Sequence, residues 1–203
     1  MEEKIKIYGY FERYWHWAQF GAVTTLIITG FEIHGFYHLL GYEFSVTLHN
    51  LAGWGYSILL LLTFFWLIFS DTYRQFLPTP KKLKEQVHYY TIGIMKGEPH
   101  PTQKTPDNKL NPIQRITYFG LIWILLPLQV VTGFLYLYIK VVKQWFGIES
   151  VEWIALFHTL LAFMVIVFLI VHVYMITTGK TLTAYLEGMI TGKEKISINK
   201  PLK

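Results

Sequence analysis

Two histidines, His158 and His172, sit fourteen residues apart in one apolar run, WIALFHTLLAFMVIVFLIVHVYMI, and this pair constrains the chain more than any other feature. The run is long enough to cross a bilayer, and an ionisable side chain inside such a span is costly, so it marks a functional site by default. Fourteen residues are nearly four helical turns. Both imidazoles therefore leave almost the same face, offset by roughly 40° and separated by about 21 Å along the axis. One helix offers two ligands at two depths.

The chain has 203 residues, of which 53% are hydrophobic and 18% aromatic, too apolar a balance for an ordinary soluble domain. Four stretches approach the length of a membrane span: 14–33, 48–69, 113–139 and 151–177. The expected fold is all-α, an integral membrane four-helix bundle forming a single domain over 1–203, with a polar loop at about 71–112. The flank before the first span, MEEKIKIYGYFER, carries three acids and no small-residue cleavage site follows, so this segment is expected to be retained rather than removed as a leader.

Basic residues set the orientation. Lys4, Lys6 and Arg13 precede the first span. Arg74, Lys81, Lys82, Lys84, Lys96, Lys104, Lys109 and Arg115 lie between the second and third, and Lys180, Lys193, Lys195, Lys200 and Lys203 follow the fourth. The other two connections hold only Lys140 and Lys143. By the positive-inside rule both termini and the middle loop face the cytoplasm, and the loops near 34–47 and 140–150 face out of a cell inner membrane. The net charge of +5 is then an orientation signal, and no soluble basic domain is left to bind nucleic acid. The absence of cysteine excludes thiolate-held iron–sulfur clusters, covalent haem and disulfides within this chain.

With this topology the histidines sort by depth. His16 and His172 lie toward the cytoplasmic ends of their spans, and His49 and His158 toward the outer ends. His34, His38, His88 and His100 fall in loops and are expected to be solvated or interfacial. Imidazole is the commonest metal ligand, and haem iron takes one axial ligand on each side of the macrocycle, so two pairs at two depths suit two stacked haems. Zinc would need three or four protein ligands around one point. Two other readings use the same residues: histidines that only pack or hydrogen-bond in the bundle, or that line a proton path. Gly53, four residues after His49, and Gly30, fourteen after His16, leave room beside a flat macrocycle, although small residues also serve plain helix packing.

In the middle loop, KKLKEQVHYYTIGIMK is expected to form a short amphipathic helix at the membrane surface, with Leu83, Val87, Tyr90 and Ile94 near one side. Trp15, Trp17, Trp145 and Trp153 read as interfacial belt residues.

Five segments together resemble a known family: Arg13-Tyr-Trp-His16-Trp, Leu48-His49-Asn-Leu-Ala-Gly53, Lys109-Leu-Asn-Pro-Ile-Gln114-Arg115, the His158–His172 spacing with its Val-Tyr-Met, and Ala184-Tyr-Leu-Glu-Gly-Met-Ile-Thr-Gly192. The chain resembles the dihaem cytochrome b subunits of respiratory formate dehydrogenases, thiosulfate reductases and nickel–iron hydrogenases. The resemblance implies two b haems, the inner held by His16 and His172 and the outer by His49 and His158, with Arg13, Gly30 and Gly53 in the cofactor-binding set. It also implies a quinone, menaquinone or ubiquinone, reacting at the cytoplasmic side. Asn111 and Gln114 are then the candidates for a quinone carbonyl and Arg115 for a haem propionate, although polar residues at a helix start also cap it or snorkel.

The expected function is electron transfer between an iron–sulfur or multihaem subunit on the outward face and the membrane quinone. The apolar outward loop GFEIHGFYHLLGYEFSV suits docking of that partner. The alternatives are a haem-free anchor for a peripheral enzyme and a quinol-oxidising subunit running in reverse.

Overall fold

A computed structural model describes residues 2–102, 104–105, 108–146, 151–179 and 181–197, and the second outward loop expected at 140–150 lies partly outside them, as do Lys180, Lys200 and Lys203. The chain runs β1 (Glu2–Lys6), α1 (Tyr10–Ile33), α2 (Tyr42–Phe69), α3 (Leu83–Thr91), α4 (Pro112–Gly120), α5 (Leu126–Leu137), α6 (Ile139–Phe146), α7 (Glu152–Ile176), α8 (Ala184–Thr191) and β2 (Lys193–Ser197). It is mostly helical, and α2, the continuous helical stretch Pro112–Leu137 and α7 are long and apolar enough to cross a membrane. α1 is 24 residues long but carries more polar side chains, among them His16, Gln19, Thr24, Thr25 and Thr29, and by composition it does not join those three.

Two compact units can be distinguished: a terminal unit (Met1–Tyr14, Leu67–Leu121, Val173–Lys203) and a histidine unit (Trp15–Trp66, Ile122–His172). α1, α2 and α7 contribute residues to both.

In the histidine unit, α1 ends where the sequence supplies a glycine. Gly35 adopts φ +77°, its N–H donates to the Glu32 carbonyl and that of Phe36 to the Phe31 carbonyl, which closes the last turn as a Schellman motif. Glu32, only 2% exposed, ties down the loop that follows: its Oε1 accepts the N–H groups of Leu39 (3.0 Å), Leu40 (2.6 Å) and Gly41 (2.6 Å) just before α2 begins. Between α4 and α5, residues Leu121–Leu125 form a π-helical turn. Pro127 accounts for it, because it has no N–H to give the Trp123 carbonyl one turn earlier. Along α7 the apolar side chains stay uncovered, with Leu160 53%, Val167 60% and Ile170 64% exposed. Leaving such side chains in water forgoes about 1.5–3 kcal/mol each, so this surface calls for lipid.

The terminal unit is built differently. β1 and β2 pair antiparallel, Lys4 opposite Lys195, and join the two ends of the chain in a two-stranded ribbon that the sequence reading did not anticipate. Gly192 closes the ribbon at φ +80°; a Cβ there would lie 2.7 Å from the Tyr8 carbonyl oxygen, so only glycine fits. α4 starts on a full capping box: the Asn111 side chain accepts the Gln114 N–H at 2.9 Å, the Gln114 side chain accepts the Asn111 N–H at 3.0 Å, and Pro112 takes the first helical position.

The middle-loop helix forms as α3, shorter than the 81–96 segment expected to hold it; its fully buried side chain is Gln86, and Val87 is 46% exposed. Trp15 Nε1 donates to Thr63 Oγ1 at 2.8 Å, within the histidine unit. Trp145 and Trp153 are exposed, at 76% and 62%.

Candidate functional site: two histidine pairs

The histidine unit brings four imidazoles together as two pairs. The rings of His16 on α1 and His172 on α7 have centroids 6.2 Å apart, and those of His49 on α2 and His158 on α7 are 6.4 Å apart. These are the partners that the depth argument matched. Two imidazoles on opposite sides of one metal, each bonded at about 2.0 Å, place their centroids about 6.3 Å apart. The spacing in both pairs fits a shared metal and is too wide for a direct hydrogen bond between rings. Among the described residues no group of three or more His, Cys, Asp or Glu side chains could hold an ion. Two-ligand axial coordination is the chemistry this donor set suits.

The surroundings of the pairs differ. In the first pair, His16 Nδ1 is buried and has no hydrogen-bond partner among the described residues, Trp17 packs edge-on to the His16 ring at 5.3 Å, and Phe168 stacks on His172 at 5.6 Å. In the second, Thr29 Oγ1 lies 2.9 Å from His49 Nδ1, and Thr132 Oγ1 lies 3.0 Å from His158 Nδ1. Gln129 Nε2 is 3.3 Å from His158 Nε2. A Cβ on Gly30 would meet His49 Cε1 at 3.6 Å, and one on Gly133 would meet His158 Cε1 at 3.1 Å. Thr29, Gln129, Thr132 and Gly133 were not singled out from the sequence. One signal was available: Ile28-Thr29-Gly30-Phe31 and Val131-Thr132-Gly133-Phe134 are near-repeats.

Gly30 therefore lies against an imidazole edge, whereas a Cβ on Gly53 would meet open space. His34 and His38 are exposed as expected, but His100 is not an ordinary solvated residue. Its Nδ1 lies 2.6 Å from the Thr102 carbonyl oxygen and its Nε2 3.3 Å from Gln86 Nε2, and partial burial lowers its pKa from the usual histidine value.

The remaining site candidates fall in the terminal unit. Besides its capping bonds, Asn111 donates from Nδ2 to Tyr90 Oη at 3.0 Å and is 8% exposed, so both ends of its amide are engaged. Arg115 donates to Asn108 Oδ1 at 2.7 Å and to the Leu77 carbonyl at 3.4 Å. Arg13 donates to the Thr191 carbonyl at 3.2 Å, and its Nε is buried without a partner among the described residues. Nearby, Lys104 bridges Glu194 Oε1 (3.0 Å) and Tyr8 Oη (3.3 Å) and sits 3.9 Å above the Tyr185 ring centre. Burial pulls the Lys104 ammonium below the usual lysine range, opposed by Glu194, and pushes the Tyr8 phenol up.

Residues 7–192 match the family described as prokaryotic cytochrome b561. The chain belongs to that family. It is also 31% identical over 204 residues to the Escherichia coli (strain K12) protein named "Putative cytochrome YdhU", a match that covers 94% of this chain and 74% of that protein. No solved structure matches the chain. Membership of the cytochrome b561 family makes this a membrane-integral cytochrome b of electron transfer and implies haem b, and the two histidine pairs are where the donor geometry fits such a group.

Proposed function

We propose that this chain is the membrane electron-transfer subunit of a respiratory oxidoreductase, carrying two b haems in a four-helix bundle. His16 and His172 hold one and His49 and His158 the other. The observation that carries the reading is the double ring-to-ring spacing, 6.2 and 6.4 Å, between three helices, two of which are long and apolar enough to cross a membrane. Bound haem supplies reversible one-electron chemistry, while the protein supplies axial imidazoles, burial and the contacts behind each ligand.

The distribution of Lys and Arg supports cytoplasmic termini in the inner membrane, with His16 and His172 on the inner side and His49 and His158 on the outer. On this reading the chain accepts electrons from an iron–sulfur or multihaem subunit on the outward face and passes them to menaquinone or ubiquinone near the cytoplasm. Proton uptake from that side makes the transfer electrogenic. The same path run backward would serve a quinol-oxidising reductase. Asn111 and Gln114 are the proposed quinone contacts; since Asn111 Nδ2 already donates to Tyr90, a quinone carbonyl must compete with that phenol. Arg115 would likewise exchange Asn108 for a propionate.

Haem content tests the proposal. Protein purified from haem-replete cells is expected to carry two low-spin b haems per chain, each with nitrogen axial ligands by electron paramagnetic resonance. A colourless preparation would leave the membrane-anchor reading in its place. For the quinone, Asn111→Ala or Gln114→Ala should weaken binding of a quinone analogue with both haem spectra retained, and unchanged affinity in both variants would remove those residues from the site.

A further inference from the structure

The near-repeated tetrapeptides Ile28-Thr29-Gly30-Phe31 and Val131-Thr132-Gly133-Phe134 do the same job on two different helices. In each, the threonine hydroxyl donates to the carbonyl four residues back: Thr29 Oγ1 to the Thr25 carbonyl at 2.7 Å, and Thr132 Oγ1 to the Leu128 carbonyl at 2.8 Å. A hydroxyl has one proton, and that bond uses it. The oxygen facing the histidine can then only accept. His49 Nδ1, 2.9 Å away, and His158 Nδ1, 3.0 Å away, must each be the protonated nitrogen. The lone pair of each ring is left on Nε2.

Gln129 Nε2 sits 3.3 Å from His158 Nε2 and 3.4 Å from its Nδ1, so Thr132 alone sets the tautomer of that ring. The glycine after each threonine faces the same ring, and at Gly133 the approach is close. With any side chain at Gly133, the Cβ would lie 3.1 Å from His158 Cε1, closer than a side chain is ordinarily accommodated, whereas a Cβ at Gly30 would meet His49 Cε1 at an ordinary contact distance of 3.6 Å.

We propose that Thr29 and Thr132 are paired positioning residues, which hold His49 and His158 with Nδ1 protonated and Nε2 presented to one shared metal and so set the potential of the haem between them. This rests on the haem assignment given above. His16 supplies the contrast, since its Nδ1 is buried with no acceptor among the described residues. An Nδ1–H that donates to oxygen makes the imidazole a stronger ligand, and stronger donation favours the ferric state. Removing the acceptor should therefore raise the midpoint potential of that haem alone.

The test is a redox titration of the dihaem protein, comparing Thr29→Val, Thr132→Val and their double variant with Thr29→Ser and Thr132→Ser. Valine keeps the shape and removes the acceptor; serine restores it. The expected result is an upward shift of one potential in each valine variant, larger in the double, with loss of the same haem to a competing apo-haem acceptor about 10-fold easier. The serine variants should return to the wild-type value, and the other haem should not move. If the wild-type protein holds two haems and neither valine variant shifts either potential, the threonines have no such role. If the wild-type protein holds no haem, the underlying assignment fails instead. Should the valine variants not fold, nitrogen-15 histidine spectra of the reduced, diamagnetic wild-type protein decide: slowly exchanging Nδ1–H signals at His49 and His158 support the proposal, and their absence overturns it.

Discussion

The two units of this molecule place their polar groups in opposite ways. In the histidine unit, the hydroxyls of Thr29 and Thr132 and the amide of Gln129 point at imidazoles. In the terminal unit, charges and amides satisfy one another: Lys109 pairs with Glu12 at 2.5 Å, Lys104 with Glu194, and Asn111 with Gln114 and Tyr90. The contrast follows from what each unit must oppose. Where lipid surrounds helices, apolar burial gives little drive for association, and a few directed polar contacts carry specificity. A segment rich in lysine, proline and short elements needs ion pairs and caps to hold a shape. A polar contact in the histidine unit orients a ring, whereas a similar contact in the terminal unit caps or ties a short element, and at Asn111 and Gln114 those caps are also the proposed quinone contacts.

The largest expected effect tests the pairing itself. His16→Ala and His172→Ala should abolish the same haem signal, while His49→Ala and His158→Ala should abolish the other, each variant keeping one low-spin b haem. Difference spectra of the four variants read this directly. If His172→Ala and His158→Ala removed the same haem, the two pairs would be wrongly drawn and the histidine unit would contain one site rather than two. The proteins should remain integral to the membrane in every case, because the apolar surfaces of α2 and α7 are untouched.

How much of this was legible beforehand differs between the units in the same way. A histidine in an apolar run is conspicuous, and alternating basic loops give each span a direction, so the four histidines could be matched by depth. The threonines behind them could not be found so easily. Threonine in an apolar helix commonly bonds to its own turn, and Thr29 and Thr132 do that as well; only their position opposite a ring distinguishes them. The β1–β2 ribbon was hidden because its strands are five residues each and come from opposite ends of the chain, so no local pattern announces the pairing. Nothing in the residues neighbouring His100 reveals that Gln86, fourteen positions earlier, folds onto it.

A smaller effect would sharpen the reading of the terminal unit as one built for stability. Lys109 and Glu12 are 14% and 18% exposed, between a surface pair and a fully buried one. Lys109→Met leaves the carboxylate without its cation, with only the Gly9 N–H still donating to it, and should cost about 2 kcal/mol, between the surface-pair and buried-pair limits. Thermal unfolding in detergent measures it, with both haem spectra unchanged before the transition. The double variant Glu12→Gln, Lys109→Met should recover part of the loss, because no uncompensated charge remains. A Lys109→Met protein of unchanged stability with a shifted haem potential would reverse the division between the units.

The smallest effect concerns pH, and it also belongs to the terminal unit. Burial, the largest cause, lowers the His100 pKa, while its bond to the Thr102 carbonyl acts in the opposite direction and the Lys104 charge adds to the lowering. The folded protein then takes up a proton at lower pH than the unfolded chain, whose histidines titrate near about 6.5. Between the folded value and about 6.5 the unfolded state binds more protons, so stability rises with pH through that window. The contribution is complete above about 6.5 and is lost as the pH falls through the window to the lower folded value. His100→Gln keeps a side chain that can bond to Gln86 and Thr102 but removes the titration, so its stability should fall less on acidification than that of the wild type. Equal slopes in the two proteins, measured by unfolding across the same pH range, would show that the network around Gln86 does not sense the proton at all.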